Sequence, residues 1–405
     1  MNIDEQVRYL MQGTEYGDDS LKQSMASELK ERLLLAEKEK RPLKVYCGFD
    51  PRTANLHLGH TVPMRKLRQF QELGHDVTFV VGNYTSLIGD PSDKDILRPR
   101  LTPEEVEFNA RTYAQQAFRI LEQEKTHIRY NSEWLSELSF AQLIELASNF
   151  TLQQFLTREN FKKRWENGDA VYLHETFYSI MQGYDAYMLK ADVQVGGTDQ
   201  LFNIITAGRK LMTYLGAKPN IGIIMGILPG TDGVIKMSKS LGNDVPINTN
   251  AEDMYGKVMS IPDFAMPGYF RLVTRWTPDK IDEIEARLNS GASHPRDIKM
   301  ELAREITGNF WGDEQALQAE QAFIRQFQKR EIPEEMPEFQ LKEGQTVLDI
   351  LEEANLVKSR SEARRLLSQN GIRLNGEVVS DQTAVFTEGG VLQVGKRHFI
   401  KLLKA

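Results

Sequence analysis

Two histidines three residues apart, His57 and His60 in LHLGH, follow a stretch, VYCGFDP, that reads as a buried strand turning through Gly48, Asp50 and Pro51. In an open parallel sheet, ligands gather at the carboxyl ends of strands, where helix N-termini direct partial positive charge outward. Proline is tolerated in a first helical turn but not deep inside a helix, so Pro63 predicts a helix start close to Gly59 and His60. Placed there, His57 and His60 can donate hydrogen bonds to phosphate oxygens or a ribose. Gly59, with no side chain, can let an adenine ring lie against the backbone. On this stretch alone, two surface histidines at a helix start are an equal reading.

A second stretch breaks the tie. IKMSKS, residues 235–240, lies about 180 residues later between Gly233 and Gly242, in a loop that glycines would allow to close over a ligand. Lys236 and Lys239 suit the charge that builds on a triphosphate when its α-phosphate is attacked. A solvated basic loop is the bland alternative, but the two motifs in this order on an α/β pattern are far more specific than either half.

The elements that must position them follow from hydrophobic periodicity. Residues 20–40 read as an amphipathic helix with Leu21, Met25, Leu29 and Leu33 on one stripe. Then come LKVYCGFD as strand, HLGHTVPMRKLRQFQELG as helix, HDVTFVVGNY as strand and the loop TSLIGDPSDKD. Strand alternating with helix implies a Rossmann-like parallel α/β sheet. Helices dominate 102–190, an insertion in a nucleotide-binding catalytic domain spanning 1–248; ADVQVGGTDQ and PNIGIIMGILPG supply two further strands. Residues 249–330 are helical again, a second domain. The glutamate-rich, proline-containing 331–344 reads as a linker, and 345–405 as a small α+β domain.

Composition sets the outer limits. The 405 residues are 40% hydrophobic and 26% charged, ordinary for soluble globular domains. One cysteine, Cys47, rules out an intrachain disulfide, and the N-terminus has no targeting pattern, which predicts a reducing cytosol. No apolar run is long enough to span a membrane. The net charge of −7 gives no global support for nucleic-acid binding, yet the last 65 residues carry 10 Lys/Arg against 8 Asp/Glu. Only the tail is mildly basic.

The two motifs resemble the signatures of the class I aminoacyl-tRNA synthetases, and YCGFDP, LHLGH, LIGDPS, YSIMQGYD, VGGTDQ and KMSKS resemble, along nearly the whole chain, the bacterial tyrosyl-tRNA synthetases. That resemblance implies activation of L-tyrosine by ATP to tyrosyl-adenylate and pyrophosphate, then transfer of the tyrosyl group to the 3′ end of tRNA(Tyr). It implies Mg2+ travelling with ATP, no tightly bound cofactor, no resident metal, no membrane contact, a cytoplasmic location and a homodimer through the helical insertion. Tyr46 and Asp185 would meet the substrate's phenolic hydroxyl. Such a pocket rejects phenylalanine by leaving its own polar groups unpaired, an effect for which tyrosine-specific synthetases are themselves the standard illustration. Tyr178, Gln182, Asp90 and Gln200 would hold the rest of the amino acid. Asp185 lies seven residues beyond Tyr178, two turns along one helix face, and Gly183 between them hints at close packing.

The ATP contacts implied are Cys47, Gly48, Asp50, Gly59, Gly197, Asp199 and Lys239, with Gln194 and Asn131 lining the pocket. Asp199 can accept from ribose hydroxyls, and the glycines of VGGTDQ allow close backbone approach. His57, His60, Lys236 and Lys239 would stabilise the transition state, and the tyrosine carboxylate needs no general base. Arg52 stands where relatives often carry a small hydroxyl residue, beside Thr53, and Asp93 replaces a glycine before Lys94. The tail resembles a small ribosomal-protein-like RNA-binding fold whose Lys358, Arg360, Arg364, Arg365 and Arg373 form a phosphate-binding patch. The alternatives weighed are a tryptophanyl enzyme, disfavoured by Tyr46, Asp185 and the tail, a non-catalytic RNA-binding relative, disfavoured by nearly intact nucleotide motifs, and a small-molecule nucleotidyltransferase, which would not need the tail.

Overall fold

The computed structural model describes residues 1–51, 55–92, 102–328, 336–342, 344–354, 356–357, 359–386, 388–395 and 398–404. Arg52, Thr53, Asp93, Lys94 and Lys358 lie outside them. The chain divides into two compact units, 1–317 and 318–405.

The first unit is built on five parallel strands: β1 (Lys44–Phe49), β2 (Asp76–Val81), β3 (Thr126–Tyr130), β4 (Val193–Gly197) and β5 (Ile221–Met225), in the order β3-β2-β1-β4-β5. β4 and β5 are almost wholly buried, as expected of strands covered on both faces. The chain runs outward from β1 to β2 and β3, then returns to the far side of β1 for β4 and β5. A crevice therefore opens at the carboxyl ends of β1 and β4, where the strand order reverses. The helix Leu58–Glu72 packs on β1, β2 and β4. On another element, Met181 and Ala186 of the helix Leu173–Met188 cluster with Tyr46 and Val80.

Met25, Leu29 and Leu33 of the helix Asp19–Glu39 are buried as their spacing predicts, and Arg32 is buried with them. Of the residues expected as a separate helical domain, 249–317 fall in the same compact unit as the sheet, where Met266–Val273 packs against Leu58–Glu72.

The second unit has its own sheet: β6 (Glu338–Gln340), β7 (Ile372–Leu374), β8 (Glu377–Val378), β9 (Gly390–Val394) and β10 (His398–Leu403), ordered β6-β10-β9-β7-β8. Helices Val347–Glu353 and Arg360–Ser368 bury Val347, Ile350, Leu351, Ala363 and Leu367 against Ile372, Leu392, Val394, Ile400 and Leu402. Asn375 and Gly376 join β7 to β8 with φ of 49° and 90°, the left-handed pair a two-residue hairpin requires. Glu338–Gln340 falls inside the stretch read as a linker, yet it pairs with β10. Its Phe339 adds to the core and repays the ordering of a charged segment.

The amino ends of the first sheet are pinned by one carboxylate. Asp192, just before β4, accepts from Arg32 Nη1 (2.9 Å), Arg41 Nη1 (2.7 Å) and the Lys44 backbone N–H (3.0 Å). Burial opposes its charge, but the bonds from Arg41, Lys44 and Arg32 outweigh it and hold the carboxyl below its usual range. Removing one member of such a buried network leaves the others uncompensated, so Asp192→Ala should lose about 3–5 kcal/mol in urea unfolding. Because the folded value is depressed, Asp192's contribution is full above pH ~4 and fades as pH falls further. An acid limb of unchanged steepness in the variant would contradict this.

Candidate active site

The helix Leu58–Glu72 starts one residue before Gly59, with His57 as its N-cap. His60 Nδ1 accepts from the His57 backbone N–H at 3.2 Å, which places the proton of a neutral His60 on Nε2. The two rings lie 3.8 Å apart, centroid to centroid. Burial pushes His57 down to about 4, with Lys236 adding to the effect against Asp244, and His60 down to about 3, helped by His57 and Lys236. Both are therefore uncharged near neutrality and act as oriented N–H donors, not as cations. Gly59 is more crowded than an open platform: a Cβ there would lie 3.1 Å from the His57 ring and 3.5 Å from Met237 Cβ. His57 Nδ1 is buried and, among the described residues, has no partner. Such an atom at a helix N-terminus fits an incoming polar ligand.

The lysine loop reaches this helix through backbone pairing. Leu58 N–H donates to Val245 C=O (2.9 Å) and Ile247 N–H to Leu56 C=O (3.1 Å), so the segment just after the loop lies along the histidine turn. The loop is held from within: Asp232 accepts from the N–H groups of Val234 and Ile235, Asn243 bonds Asp232, and Ser238 N–H donates to Asn243 Oδ1 (2.8 Å). Gly230 has to be glycine, because a Cβ would fall 2.3 Å from the Asn243 amide. Met237 is buried while Lys236 and Lys239 are not. Lys236 Nζ pairs with Asp199 Oδ2 at 3.2 Å, across the crevice from the end of β4. Two motifs far apart in sequence thus face one space.

On the other side of the crevice lie the residues of the helix Leu173–Met188. Asp185 accepts from Trp134 Nε1 (2.7 Å) and Asn131 Nδ2 (3.3 Å). Burial pushes its carboxyl up to about 7 against the bonds from Trp134 and Asn131, with Asp50 adding to the rise. Tyr46 is 1% exposed and its hydroxyl donates to Gln182 C=O at 3.4 Å, with burial and then Asp185 raising its pKa well above the usual value. Tyr178 donates to Asp50 Oδ2 at 3.1 Å, and Thr85 to Asp50 Oδ1 at 2.8 Å. Burial, then Asp50 and Asp90, keep the Tyr178 phenol protonated. Gln182 Oε1 is buried and unpartnered among the described residues, an acceptor facing these groups. Gln200 Nε2 donates to Asp90 Oδ2 at 2.6 Å. Gly183 earns its place: a Cβ would lie 3.1 Å from Gly208 Cα, in the π-helical turn Phe202–Gly208 that follows β4.

Other expected residues lie as follows. Cys47 is buried, its thiol 3.7 Å from Gly48 C=O. A Cβ on Gly48 would meet nothing within 4 Å, whereas one on Gly197 would lie 2.6 Å from Asp199 Oδ1. Gln194, in register with Tyr46 on the neighbouring strand, is buried and accepts from Asn220 Nδ2 at 2.8 Å. Asn131 serves the pocket from behind, through Asp185 and Thr85. Sequence reasoning missed Trp134, Thr85, Arg158 and Asn203. The only signal for Trp134 was a polar-tipped aromatic just after a strand end, needing a buried partner.

In the second unit, Arg360 is tied to Asp349 and Glu352, both at 2.7 Å, and Arg373 to Gly376 C=O at 3.0 Å. Arg364 and Arg365 are exposed. Intramolecular carboxylates therefore compete for part of the expected patch.

Comparison with known proteins agrees with this geometry. A family model described as tRNA synthetases class I (W and Y) matches residues 38–328, and one described as a tyrosine–tRNA ligase SYY-like C-terminal domain matches 328–400. The tyrosine–tRNA ligase 2 of Clostridium acetobutylicum is 45% identical over 403 residues, 99% of each chain. The tyrosine–tRNA ligase of Thermotoga maritima is 45% identical over 374 residues, 92% of this chain and 93% of the relative. Among solved structures, the tyrosyl-tRNA synthetase of Archaeoglobus fulgidus complexed with L-tyrosine shares the fold, with a TM-score of 0.59 at 20% identity over 79% of this chain and 100% of the other. With one crevice uniting the histidine and lysine motifs and near-full-length relatives of one kind, this chain belongs to the class I tRNA synthetases of the tryptophan and tyrosine type, within their tyrosine–tRNA ligase branch.

Proposed function

We propose that this chain joins L-tyrosine to ATP, brought in as its Mg2+ complex, to form tyrosyl-adenylate and pyrophosphate, and then passes the tyrosyl group to the 3′ end of tRNA(Tyr). The observation that carries the reading is Asp185, a buried carboxylate fixed by Trp134 and Asn131 close to Tyr46. It is a floor shaped for a group that brings its own hydroxyl proton.

The phenol would donate to Asp185, with Tyr46 beside it. Asp90, Tyr178 and Gln182 would take the ammonium, and Gln200 the carboxylate end. A carboxylate oxygen attacks the α-phosphorus and the bond to pyrophosphate breaks, with no proton to remove. Catalysis is then positioning plus charge stabilisation. His57 and His60, uncharged, would donate to phosphate oxygens; Lys236 and Lys239 would supply the positive charge. Asp199, paired with Lys236 in this structure, would accept from the ribose hydroxyls as the lysine turns to phosphate. Cys47, Gly48, Asp50, Gly59 and Gly197 would flank the nucleotide.

Exposed apolar side chains on the insertion, Phe140, Ile144, Leu152, Trp165, Tyr172 and Leu173, support a homodimer through that face. Among the described residues no helix is long and apolar enough to cross a membrane. The proposed reaction draws on tyrosine, ATP and tRNA together, and its expected place is the cytoplasm.

Exchange of labelled pyrophosphate into ATP tests the reading. Tyrosine should support it and phenylalanine and tryptophan should not, while Asp185→Ala should lower kcat/KM for tyrosine roughly 10- to 100-fold, the worth of a hydrogen bond to a charged group. Absence of exchange with all three amino acids, from folded protein, would sink it. In the wild type, kcat/KM for tyrosine should rise with pH to a plateau above about 7, as Asp185 ionises to the better acceptor; the histidines, titrating near 4 and below, do not contribute to that limb. A flat profile from pH 6 to 8 would remove Asp185 from that role. Finally, Arg364→Glu with Arg365→Glu should raise KM for tRNA about tenfold at physiological salt and flatten its salt dependence, leaving exchange unchanged. Unaltered tRNA KM would take the helix Arg360–Ser368 out of the RNA contact.

A further inference from the structure

The turn that carries Asp90 is gripped from below by the insertion. Arg158, the N-cap of the helix Glu159–Glu166, is 5% exposed, and its guanidinium forks between two hydroxyls: Nη2 donates to Ser92 Oγ at 2.6 Å and Nη1 to Ser179 Oγ at 3.1 Å. Its plane lies near the rings of Phe161 and Phe202, 5.0 and 5.2 Å from their centroids. Two residues on, Asn160 Nδ2 donates to the Pro91 carbonyl. Both hydroxyls touched by Arg158 also meet Asn203, which is fully buried: Ser179 Oγ donates to Asn203 Oδ1 (2.6 Å), and Asn203 Nδ2 donates to Ser92 Oγ (3.2 Å) and Gln200 Oε1 (3.0 Å). Gln200 donates to one oxygen of Asp90, and the Ser92 N–H donates to the other at 2.9 Å.

Among the described residues, both hydrogen bonds that orient Asp90 thus lead back to Arg158, by two bonds through Ser92 and by four through Gln200 and Asn203. A guanidinium is the group for this place, since its planar fork reaches two acceptors at fixed angle and its plane can lie along aromatic faces. We propose that Arg158 is a positioning residue for recognition of the substrate's α-amino group: it sets the Asp90–Ser92 turn and Gln200 so that Asp90 meets the amine. This rests on the tyrosine site proposed above. Arg158 acts through the Ser92 and Ser179 hydroxyls it holds. Its effect is confined to the amino end of the pocket, away from the Asp185 floor.

The test uses the full chain and two ligands that differ by the amino group alone, L-tyrosine and 3-(4-hydroxyphenyl)propionate, the second as a competitive inhibitor of pyrophosphate exchange. Arg158→Lys keeps the charge and loses the fork; Ser179→Ala removes one prong with little change in volume and carries the comparison if the first variant folds poorly. In each, KM for tyrosine should rise roughly tenfold, with KM for ATP and the inhibition constant of the amine-free analogue within about twofold of wild type. Equal weakening of both ligands would reduce Arg158 to a general structural role and overturn the proposal, as would wild-type behaviour of Arg158→Lys. The wild type separates this from failure of the underlying reading. If it shows no tyrosine-dependent exchange, or binds both ligands equally, the tyrosine site itself is wrong and the proposal falls with it.

Discussion

The strand order β3-β2-β1-β4-β5 is the constraint on which the site depends. With β1 central and the chain departing from it in both directions, the connections after β1 and β4 leave on opposite sides and a crevice opens between their carboxyl ends. Asp50 and the histidine turn follow β1, and Gly197 to Gln200 follow β4. A loop that comes after β5 still reaches the crevice, because the backbone at Val245 and Ile247 hydrogen-bonds with that at Leu56 and Leu58. Those bonds bring Lys236 within 3.2 Å of Asp199. The Asp192 network at the other end of the strands keeps β1 and β4 in register, while the crevice end stays free for chemistry.

Burial then decides the protonation states. A histidine pair at a helix N-terminus could be expected to carry charge, but desolvation, with Lys236 nearby, lowers both imidazoles so that they are neutral near pH 7 and can act through a donated hydrogen bond. Lys236 and Lys239 instead lie on an exposed loop. On the substrate side the same force acts in reverse on Asp185, raising it toward neutrality even with two donors attached.

The helix Leu173–Met188 presents Tyr178, Gln182 and Asp185 to the crevice and closes against the π-helical turn after β4 at Gly183 and Gly208. That contact needs two residues without side chains, and it lets Asn203 in the same turn reach Ser179 of the helix. The insertion adds Arg158 and Asn160 beneath the Asp90 turn, so a part of the chain that exposes several apolar side chains is bonded to that turn.

Much of this was legible in the residues themselves. The parallel α/β pattern, the helix start at the histidines, the buried stripe Met25, Leu29 and Leu33 and the Asn-Gly hairpin at 375 follow from periodicity and backbone preference, which act over a few residues and need no knowledge of the rest of the chain. The motif pair was enough to raise the expectation of a nucleotide site. What sequence could not decide was which polar group each buried polar side chain would find. Gln194 accepts from Asn220, Arg360 pairs with Asp349 and Glu352, and Glu338–Gln340, read as linker, joins a sheet. Arg158 beneath Asp90 gave no pattern at all, and Trp134 behind Asp185 only its polar-tipped ring after a strand end. Such pairings join residues dozens of positions apart, and only the packed structure, in which each desolvated donor must meet an acceptor within about 3 Å, determines them.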